Sequence, residues 1–576
     1  MAAFALLLMV VLARAVQLEV SEGAVFRAEA VKPLRRETVL PGMRGRILAS
    51  DGAVLACDRK TLALAMHYRW LQDPPDARWL RQTARKALPK ADRRNAERLA
   101  EAETRLRDER ERLARRLAGL CGLRADEWAG RTREIQDRVE RISERVNRHH
   151  AARHANRGED SEERGRSGTA LSGVLDVLRT TLEDRSSAPL VVAEELQYHV
   201  VADDVPASAV AEIKADPDQY PGVQVVERLR REYPQGTLAA HVVGHLGPPP
   251  ATSGPSPPAA PHHADLVGAA GVERECEELL QGRRGLAVDL TDHGGRVLSA
   301  CREQEPGVGS DVALTLDLRI QRSAEELLDN AIERRAIGPE QLAPAGGAAV
   351  VMHVETGALL AAASSPRFDP GLFVGKDVAR RAALLTDGAH PLFDRATRMA
   401  LPLGSLLDAL PDAALAQSRS TGPPASLAPL NPNDAARRQR QATPLQVARL
   451  IAAVANGGRL VTPRVLAGDA PASEPCAGLE HAALAKAQEP LRRIVADPQA
   501  MTRDLIDVDP VAIAGETGAV VSGEASGAHA WFAGYVPVDR PEFAIVVAME
   551  HSIDADTAAA AVAKRLVLRM KQAGLL

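Results

Sequence analysis

Aromatic residues make up only 3% of this 576-residue chain, so its cores must rest on alanine, valine and leucine. Neither charge sign dominates, because the formal net charge at pH 7 is −4, and this balance gives no global electrostatic case for a nucleic-acid partner. The remaining composition, 45% hydrophobic and 26% charged, is that of a globular protein long enough for two or three domains.

The chain also lacks paired cysteines. Its five cysteines are widely scattered, odd in number and without a C-x-x-C pair, which excludes a disulfide framework and leaves at most a single disulfide open. The histidines at 149, 150 and 154 lie in a polar, charged segment that does not favour metal ligation. We therefore expect no metal and no cofactor.

The N-terminal apolar run, Met1–Ala13, is short. A membrane helix needs about 20 apolar residues, and neither a basic segment before the run nor a clean small-residue cleavage site after it is present. The favoured interpretation is an uncleaved signal anchor over residues 1–16. A cleaved signal peptide and a buried core helix stay open as alternatives.

Residues 77–150 differ from the rest of the N-terminal half, because arginine and glutamate dominate and glycine becomes rare. Leucine repeats every seven residues at Leu99, Leu106, Leu113 and Leu120, which predicts an amphipathic helix. A second such helix is predicted after a break at 119–122. The segment is therefore interpreted as a helical insertion.

The C-terminal part alternates strand and helix patterns. Two apolar runs, at 348–352 and 359–363, flank a Thr-Gly turn and predict a hairpin. Thr443 opens a predicted helix that runs to Asn456, and the run 543–549 predicts a central strand before a final helix over about 555–573. This pattern predicts a sheet with helices on its faces.

Several segments occur in the order found in one protein family. They are Arg44-Gly45-Arg46-Ile47, Gly271-Val272-Glu273, Asp311–Asp317, Thr443-Pro444-Leu445-Gln446 and His529–Tyr535. Together they resemble the class B penicillin-binding proteins, the monofunctional peptidoglycan transpeptidases of the bacterial cell envelope. Asp51-Gly52 continues the first segment and predicts a hairpin, for which 54–56 and 62–65 are the expected strands.

The resemblance implies an α+β multidomain fold. A β-rich pedestal of the family's dimerisation type is expected at 17–340, with the helical insertion 77–170 inside it. A transpeptidase-like α/β sandwich is expected at 341–576, shortened around the active-site cleft because only 111 residues separate Ser405 from Glu516.

The resemblance also places the catalytic serine. The family motif S-x-x-K sets a lysine amine one helical turn above the nucleophile, and Ser405 takes the serine position while Asp408 takes that of the lysine. An aspartate brings no positive charge and is a weak base at neutral pH. The same spacing has a structural interpretation, a capping box with Ser405 as N-cap and Asp408 as the third helical residue.

The family's carboxylate-binding motif K-T-G is matched by Glu516, Thr517 and Gly518, so an acid again replaces a lysine. An acid at this position repels a terminal carboxylate. The intervening motif S-x-N is missing, and the nearest polar triplet is Asn431-Pro432-Asn433.

These substitutions predict a catalytically degenerate transpeptidase that acts as a binding or scaffold component of cell-wall synthesis. An active serine acyl-transferase that uses Ser405 is the alternative, and a β-lactam sensor or β-lactamase is a third class. The resemblance implies a single-pass protein of the bacterial inner membrane with most of the chain outside the cytoplasm. Its expected partners are the membrane and a peptidoglycan precursor or other wall-synthesis proteins, with no nucleic acid.

Overall fold

A computed structural model of the protein describes residues 34–162, 191–249, 266–291, 297–336, 346–375, 377–420, 440–496, 511–521, 528–552 and 557–576, together with residues 9 and 17. These residues form two compact units, Lys60–Arg230 and the remainder, Met1–Arg59 with Arg231–Leu576. Within the described ranges, no helix combines the length and apolarity that a membrane span requires. The predicted anchor at 1–16 lies outside these ranges except for Met9, so it stays a prediction.

The strands of the described residues are β1 Leu34–Leu40, β2 Ile47–Leu48, β3 Val54–His67, β4 Tyr198–Ala202, β5 Val223–Glu232, β6 Leu246–Gly247, β7 Val267–Gly268, β8 Gly285–Thr291, β9 Val297–Gln304, β10 Val312–Ala313, β11 Gly347–His353, β12 Leu359–Ser365, β13 Leu401–Pro402, β14 Gln441–Ala442, β15 Arg459–Val461, β16 Ser473–Pro475, β17 Ala514–Val521, β18 Ala528–Val536 and β19 Phe543–Ser552.

The α-helices of the same ranges are α1 Tyr68–Leu71, α2 Ala77–Ala87, α3 Ala96–Leu120, α4 Ala125–Glu162, α5 Ala207–Ala215, α6 Ala240–Val243, α7 Gly271–Glu275, α8 Glu277–Leu280, α9 Leu318–Ala336, α10 Gly371–Val374, α11 Val378–Thr386, α12 Arg395–Arg398, α13 Asp412–Ser420, α14 Pro444–Ala455, α15 His481–Ala496 and α16 Ala558–Gln572.

The larger unit is built on an antiparallel sheet of order β12-β11-β19-β18-β17. Alternation along β11 sends Val350 and Met352 to one face and Val351 to the other. The first face packs against α14, and the second against α9 and α16. The predicted hairpin, central strand and final helix are confirmed, as is the mixed α+β fold.

The residues at the two ends of α14 explain why its bounds could be predicted from the sequence. The Thr443 side chain accepts from the Gln446 backbone N–H, and the Gln446 side chain accepts from the Thr443 N–H, which completes a capping box. Gly457 and Gly458 follow with φ values of +86° and +94°, a conformation that stops the helix. The predicted start and end are therefore both confirmed.

The unit Lys60–Arg230 contains the predicted helical pair. Helix α3 ends at Leu120 and α4 begins at Ala125, so the predicted break is confirmed. The seam is divided between two clusters. Leu113, Leu117 and Val139 pack with residues of β3 and β4 such as Leu64 and Val201, whereas Leu99 and Ala102 pack with Ala84 and Leu88.

The Asp51-Gly52 turn closes a hairpin as predicted, with Gly52 at φ +82°. The predicted strands of this hairpin were wrong. Its first strand is β2, in which Ile47 pairs with Ala56, and its second is β3, which contains both of the runs 54–56 and 62–65. The five residues between those runs include no glycine or proline, so nothing interrupts the strand.

Buried charges hold the N-terminal segments of the larger unit together. Glu273, with no exposed surface, accepts from Arg44 Nε and from Arg231 Nε, each at 2.8 Å. Arg44 also pairs with Glu277 at 2.5 Å, and Arg231 with Asp58 at 3.2 Å. The network links residues more than 200 positions apart in the chain, so it fixes tertiary structure rather than local structure.

Candidate functional site

The serine of the S-x-x-K position lies on a turn that strand pairing holds in place. Strands β13 and β14 pair Leu401 with Ala442, and the ladder ends where the Leu403 N–H donates to the Arg440 carbonyl at 3.0 Å. Trp531 Nε1 on β18 donates to the Pro402 carbonyl at 3.0 Å. The chain therefore enters the turn from a fixed position beside the sheet.

The capping-box interpretation of Ser405 and Asp408 is wrong. Residues 404–409 form consecutive turns, and the next helix, α13, begins only at Asp412. Gly404 at φ +59° and Leu407 at φ +63° adopt left-handed conformations that an α-helix cannot contain. Asp408 is consequently not placed one helical turn above the serine.

Each residue of the S-x-x-K position has a defined environment. Ser405 is exposed, and no described residue forms a hydrogen bond with its hydroxyl. The carboxylate of Asp408 accepts from Arg440 Nη1 at 2.5 Å in a pair that is partly exposed to solvent. Arg440 Nη2 also donates to the Leu407 carbonyl at 3.4 Å. The cation paired with Asp408 is therefore a guanidinium, which stays protonated and cannot act as a base.

Glu516 connects β17 to the same turn. Its Oε2 atom accepts from the Leu407 N–H at 3.3 Å. Burial raises the pKa of the Glu516 carboxyl, the Leu407 N–H lowers it, and the negative charge of Asp408 raises it further. The position of the K-T-G lysine thus carries a half-buried acid that holds the serine turn.

The rest of the K-T-G position is in close contact with the turn. A Cβ added to Gly518 would lie 3.0 Å from the Leu406 Cβ, and one added to Gly404 would lie 2.5 Å from Val520 Cγ2. Leu403 and Leu406 are fully buried. Thr517 lies between Glu516 and Gly518 on β17, and no described residue bonds its hydroxyl.

The structure therefore brings Ser405, Asp408 and Glu516 into one region, as the resemblance implied. The triplet Asn431-Pro432-Asn433 lies outside the described residues. Sequence reasoning missed Arg440, because its partnership with Asp408, 32 positions away, arises only from the pairing of β13 with β14. No motif near residue 440 marked it.

The burial of Glu516 gives a pH-dependent prediction. A raised native pKa means that the folded state binds more protons than the unfolded state at pH values between the ordinary pKa of 4.5 and the native one, so the unfolding free energy falls as pH rises through that window. Glu516→Gln cannot ionise and keeps an oxygen to accept from Leu407. We expect its urea midpoint to match that of the unmodified protein near pH 4 and to exceed it near pH 7.5.

The control for this measurement is Glu489→Gln, which makes the same atomic change at an exposed carboxylate on α15. Its urea midpoint should follow that of the unmodified protein at both pH values. A Glu516→Gln difference that is equal at the two pH values would contradict the burial effect.

Comparisons with known proteins concern the family and the fold. The family model described as "Penicillin-binding Protein dimerisation domain" matches residues 39–314, and the one described as "Penicillin binding protein transpeptidase domain" matches residues 433–568. The second match includes Glu516, Thr517 and Gly518, whereas Ser405 and Asp408 precede it.

Similar curated proteins are peptidoglycan D,D-transpeptidases. The Escherichia coli K12 protein MrdA is 33% identical over 204 residues, 34% of this chain and 30% of the relative. The Acinetobacter baumannii MrdA is 28% identical over 243 residues, 42% of this chain and 34% of the relative. The alignments thus span about a third of these relatives' length.

Solved structures show the fold. A penicillin-binding protein (PBP2) in complex with MreC from Helicobacter pylori superimposes with a TM-score of 0.59 at 15% identity, covering 95% of this chain and 100% of that one. A chain of a peptidoglycan synthase complex gives a TM-score of 0.58 at 20% identity, covering 99% of this chain and 97% of that one. With both family models and the shared fold, the chain belongs to the class B penicillin-binding proteins.

Proposed function

We propose that this protein is a degenerate transpeptidase, which serves peptidoglycan synthesis as a binding or scaffold component and forms no acyl-serine intermediate. The observation that carries the proposal is the Glu516 carboxylate at the K-T-G lysine position, hydrogen-bonded to the serine turn at Leu407. An acyl-transfer site needs an activated nucleophile, and this acid supplies no cation for a substrate carboxylate.

The serine turn supports the same proposal. A lysine in S-x-x-K acts because the helix holds its amine within reach of the hydroxyl, and here Ser405 lies on a turn. Asp408 is paired with Arg440, so its carboxylate is already engaged by a permanent cation. Strand β17 and the turn approach each other closely, because a Cβ added to Gly518 would lie 3.0 Å from the Leu406 Cβ.

The location and partners belong to the same proposal. The apolar segment 1–16 would anchor the chain in the bacterial inner membrane, with the two compact units outside the cytoplasm. Partners would come from cell-wall synthesis, since the similar solved chains occur in complexes with MreC and in a peptidoglycan synthase complex. The predicted domains, a pedestal at 17–340 and a transpeptidase-like domain at 341–576, fit this arrangement.

One observation favours the alternative, an active acyl-transferase. Ser405 is exposed, and the raised pKa of the Glu516 carboxyl brings an acid near the serine turn closer to the range of a useful base. This alternative requires Glu516 to exchange its bond with Leu407 for one with the serine hydroxyl.

A cellular experiment separates the two functions. In a strain that carries Ser405→Ala in place of the native gene, a scaffold role predicts unchanged cell shape and an unchanged fraction of cross-linked wall peptides. Deletion of the gene serves as the reference for loss of the protein. A Ser405→Ala strain that accumulates normal amounts of protein yet behaves like the deletion would favour the acyl-transferase.

A further inference from the structure

A cavity of about 430 Å³ lies in the larger unit, lined by residues between 384 and 398 and by Glu550. Its walls come from the end of α11, the loop 387–393, α12 and the end of β19. A cavity of this size is in the range of small-molecule sites. Neither the serine turn nor β17 contributes a lining residue.

The loop that forms one wall is held in place by one buried cation, Arg395, and one buried ring, His241. Arg395, with 4% of its surface exposed, donates from Nη2 to the Ala389 carbonyl at 2.9 Å and from Nη1 to the His390 carbonyl at 3.2 Å. His241 Nε2 donates to the Pro391 carbonyl at 2.8 Å. His390 itself has φ +49°, a left-handed conformation that these contacts stabilise. The cavity is therefore preformed.

The lining combines apolar side chains with one available cation. Leu384, Leu385 and Phe393 supply the apolar part, and Leu385 is 61% exposed despite its size. Arg395 is neutralised by Glu550 at 2.9 Å. Arg398 is exposed, lies over the Phe393 ring at 5.8 Å, and forms no ion pair with any described residue.

The two acidic residues of the lining, Asp387 and Glu550, each accept a hydrogen bond from a nearby group. Asp387 Oδ1 accepts from the Ala389 N–H at 2.9 Å, so this carboxylate is part of the loop's own turn. Glu550 is bound to Arg395. Arg398 is thus the cation of the lining that has no acidic partner among the described residues, and its planar guanidinium suits a carboxylate.

We propose that this cavity binds a small apolar carboxylate, with the acid on Arg398 and the apolar body against Phe393 and the leucines. Two sources share this chemistry, the C-terminal residue of a short peptide and a free aryl acid. No lining residue belongs to the serine turn, so the proposal stands or falls independently of acylation at Ser405.

The test is calorimetric titration of the full-length protein with two acids and their neutral amides. The peptide pair is N-acetyl-alanyl-alanine and its C-terminal amide, and the aryl pair is 3-phenylpropionate and 3-phenylpropionamide. We expect saturable binding of at least one acid, at least 10-fold tighter than its amide, and the tighter pair identifies the source. Arg398→Gln should remove this preference, whereas Arg380→Gln on α11, outside the lining, should retain it.

Three results would overturn the proposal. They are the absence of saturable binding by all four compounds, equal affinities of acid and amide, and an acid preference that survives in Arg398→Gln. A circular dichroism spectrum of each variant that matches the unmodified protein ensures that a lost preference reflects the guanidinium and not unfolding.

Discussion

Replacing Glu273 by glutamine should destabilise the N-terminal segments of the larger unit by about 3–5 kcal/mol, the cost of breaking a buried ion pair by removing one partner. Glu273 is fully buried between Arg44 and Arg231, so its loss leaves two arginines without their shared counter-charge. Hydrogen exchange at the Gly45 amide, which donates to Leu280, should accelerate roughly 10²- to 4 × 10³-fold, because each 1.4 kcal/mol corresponds to a factor of ten.

The matched control is Asp311→Asn, which makes the same carboxylate-to-amide change in the pair with Arg46. That pair is as short, 2.6 Å, but its side chains are 56% and 37% exposed. Exposed pairs contribute less than about 1 kcal/mol. Equal acceleration in both variants would mean that burial does not set the strength of the Glu273 network.

Restoring both family lysines, Asp408→Lys with Glu516→Lys, should not produce a serine that penicillin acylates. A positioned general base is worth about 10²–10⁴ in rate, but only when it is within reach of the proton that it removes. Residue 408 follows Leu407 in a left-handed conformation, and the next helix begins only at Asp412. A lysine at 408 therefore does not lie one helical turn above the serine. The two substitutions also remove the Glu516 oxygen that accepts from the Leu407 N–H, and they place two further cations near Arg440.

Incubation with fluorescent penicillin, followed by denaturing electrophoresis, measures this outcome. The variant must first give the circular dichroism spectrum of the unmodified protein, so that a negative result concerns chemistry. Labelling of the double-lysine variant that disappears when Ser405→Ala is added would contradict the structural explanation and show that the two lysines alone were missing.

Local signals in the sequence predicted much of the larger unit. Both ends of α14 could be predicted because their signals are local in sequence. The capping residues Thr443 and Gln446 mark its start, and a pair of glycines follows its end. The strands β11, β12 and β19 were readable because they are almost fully buried on both faces and appear as continuous apolar runs.

The serine turn could not be predicted in the same way. The spacing of Ser405 and Asp408 fits a capping box, yet left-handed conformations at Gly404 and Leu407 and the β13–β14 ladder select consecutive turns. These are effects of tertiary pairing that a local pattern does not contain. The roles of Arg440 and of the loop 387–393 likewise depend on distant partners, because Arg440 binds Asp408 and the Pro391 carbonyl accepts from His241.

The measurement that tests the central claim most directly is the intact mass of the unmodified protein after prolonged incubation with benzylpenicillin. With Asp408 and Glu516 at the lysine positions and Ser405 on a turn, we predict no covalent adduct. The acids also disfavour an anionic β-lactam at the site. A stoichiometric increase in mass by one penicilloyl group, abolished by Ser405→Ala, would contradict the degenerate assignment and establish Ser405 as a working nucleophile.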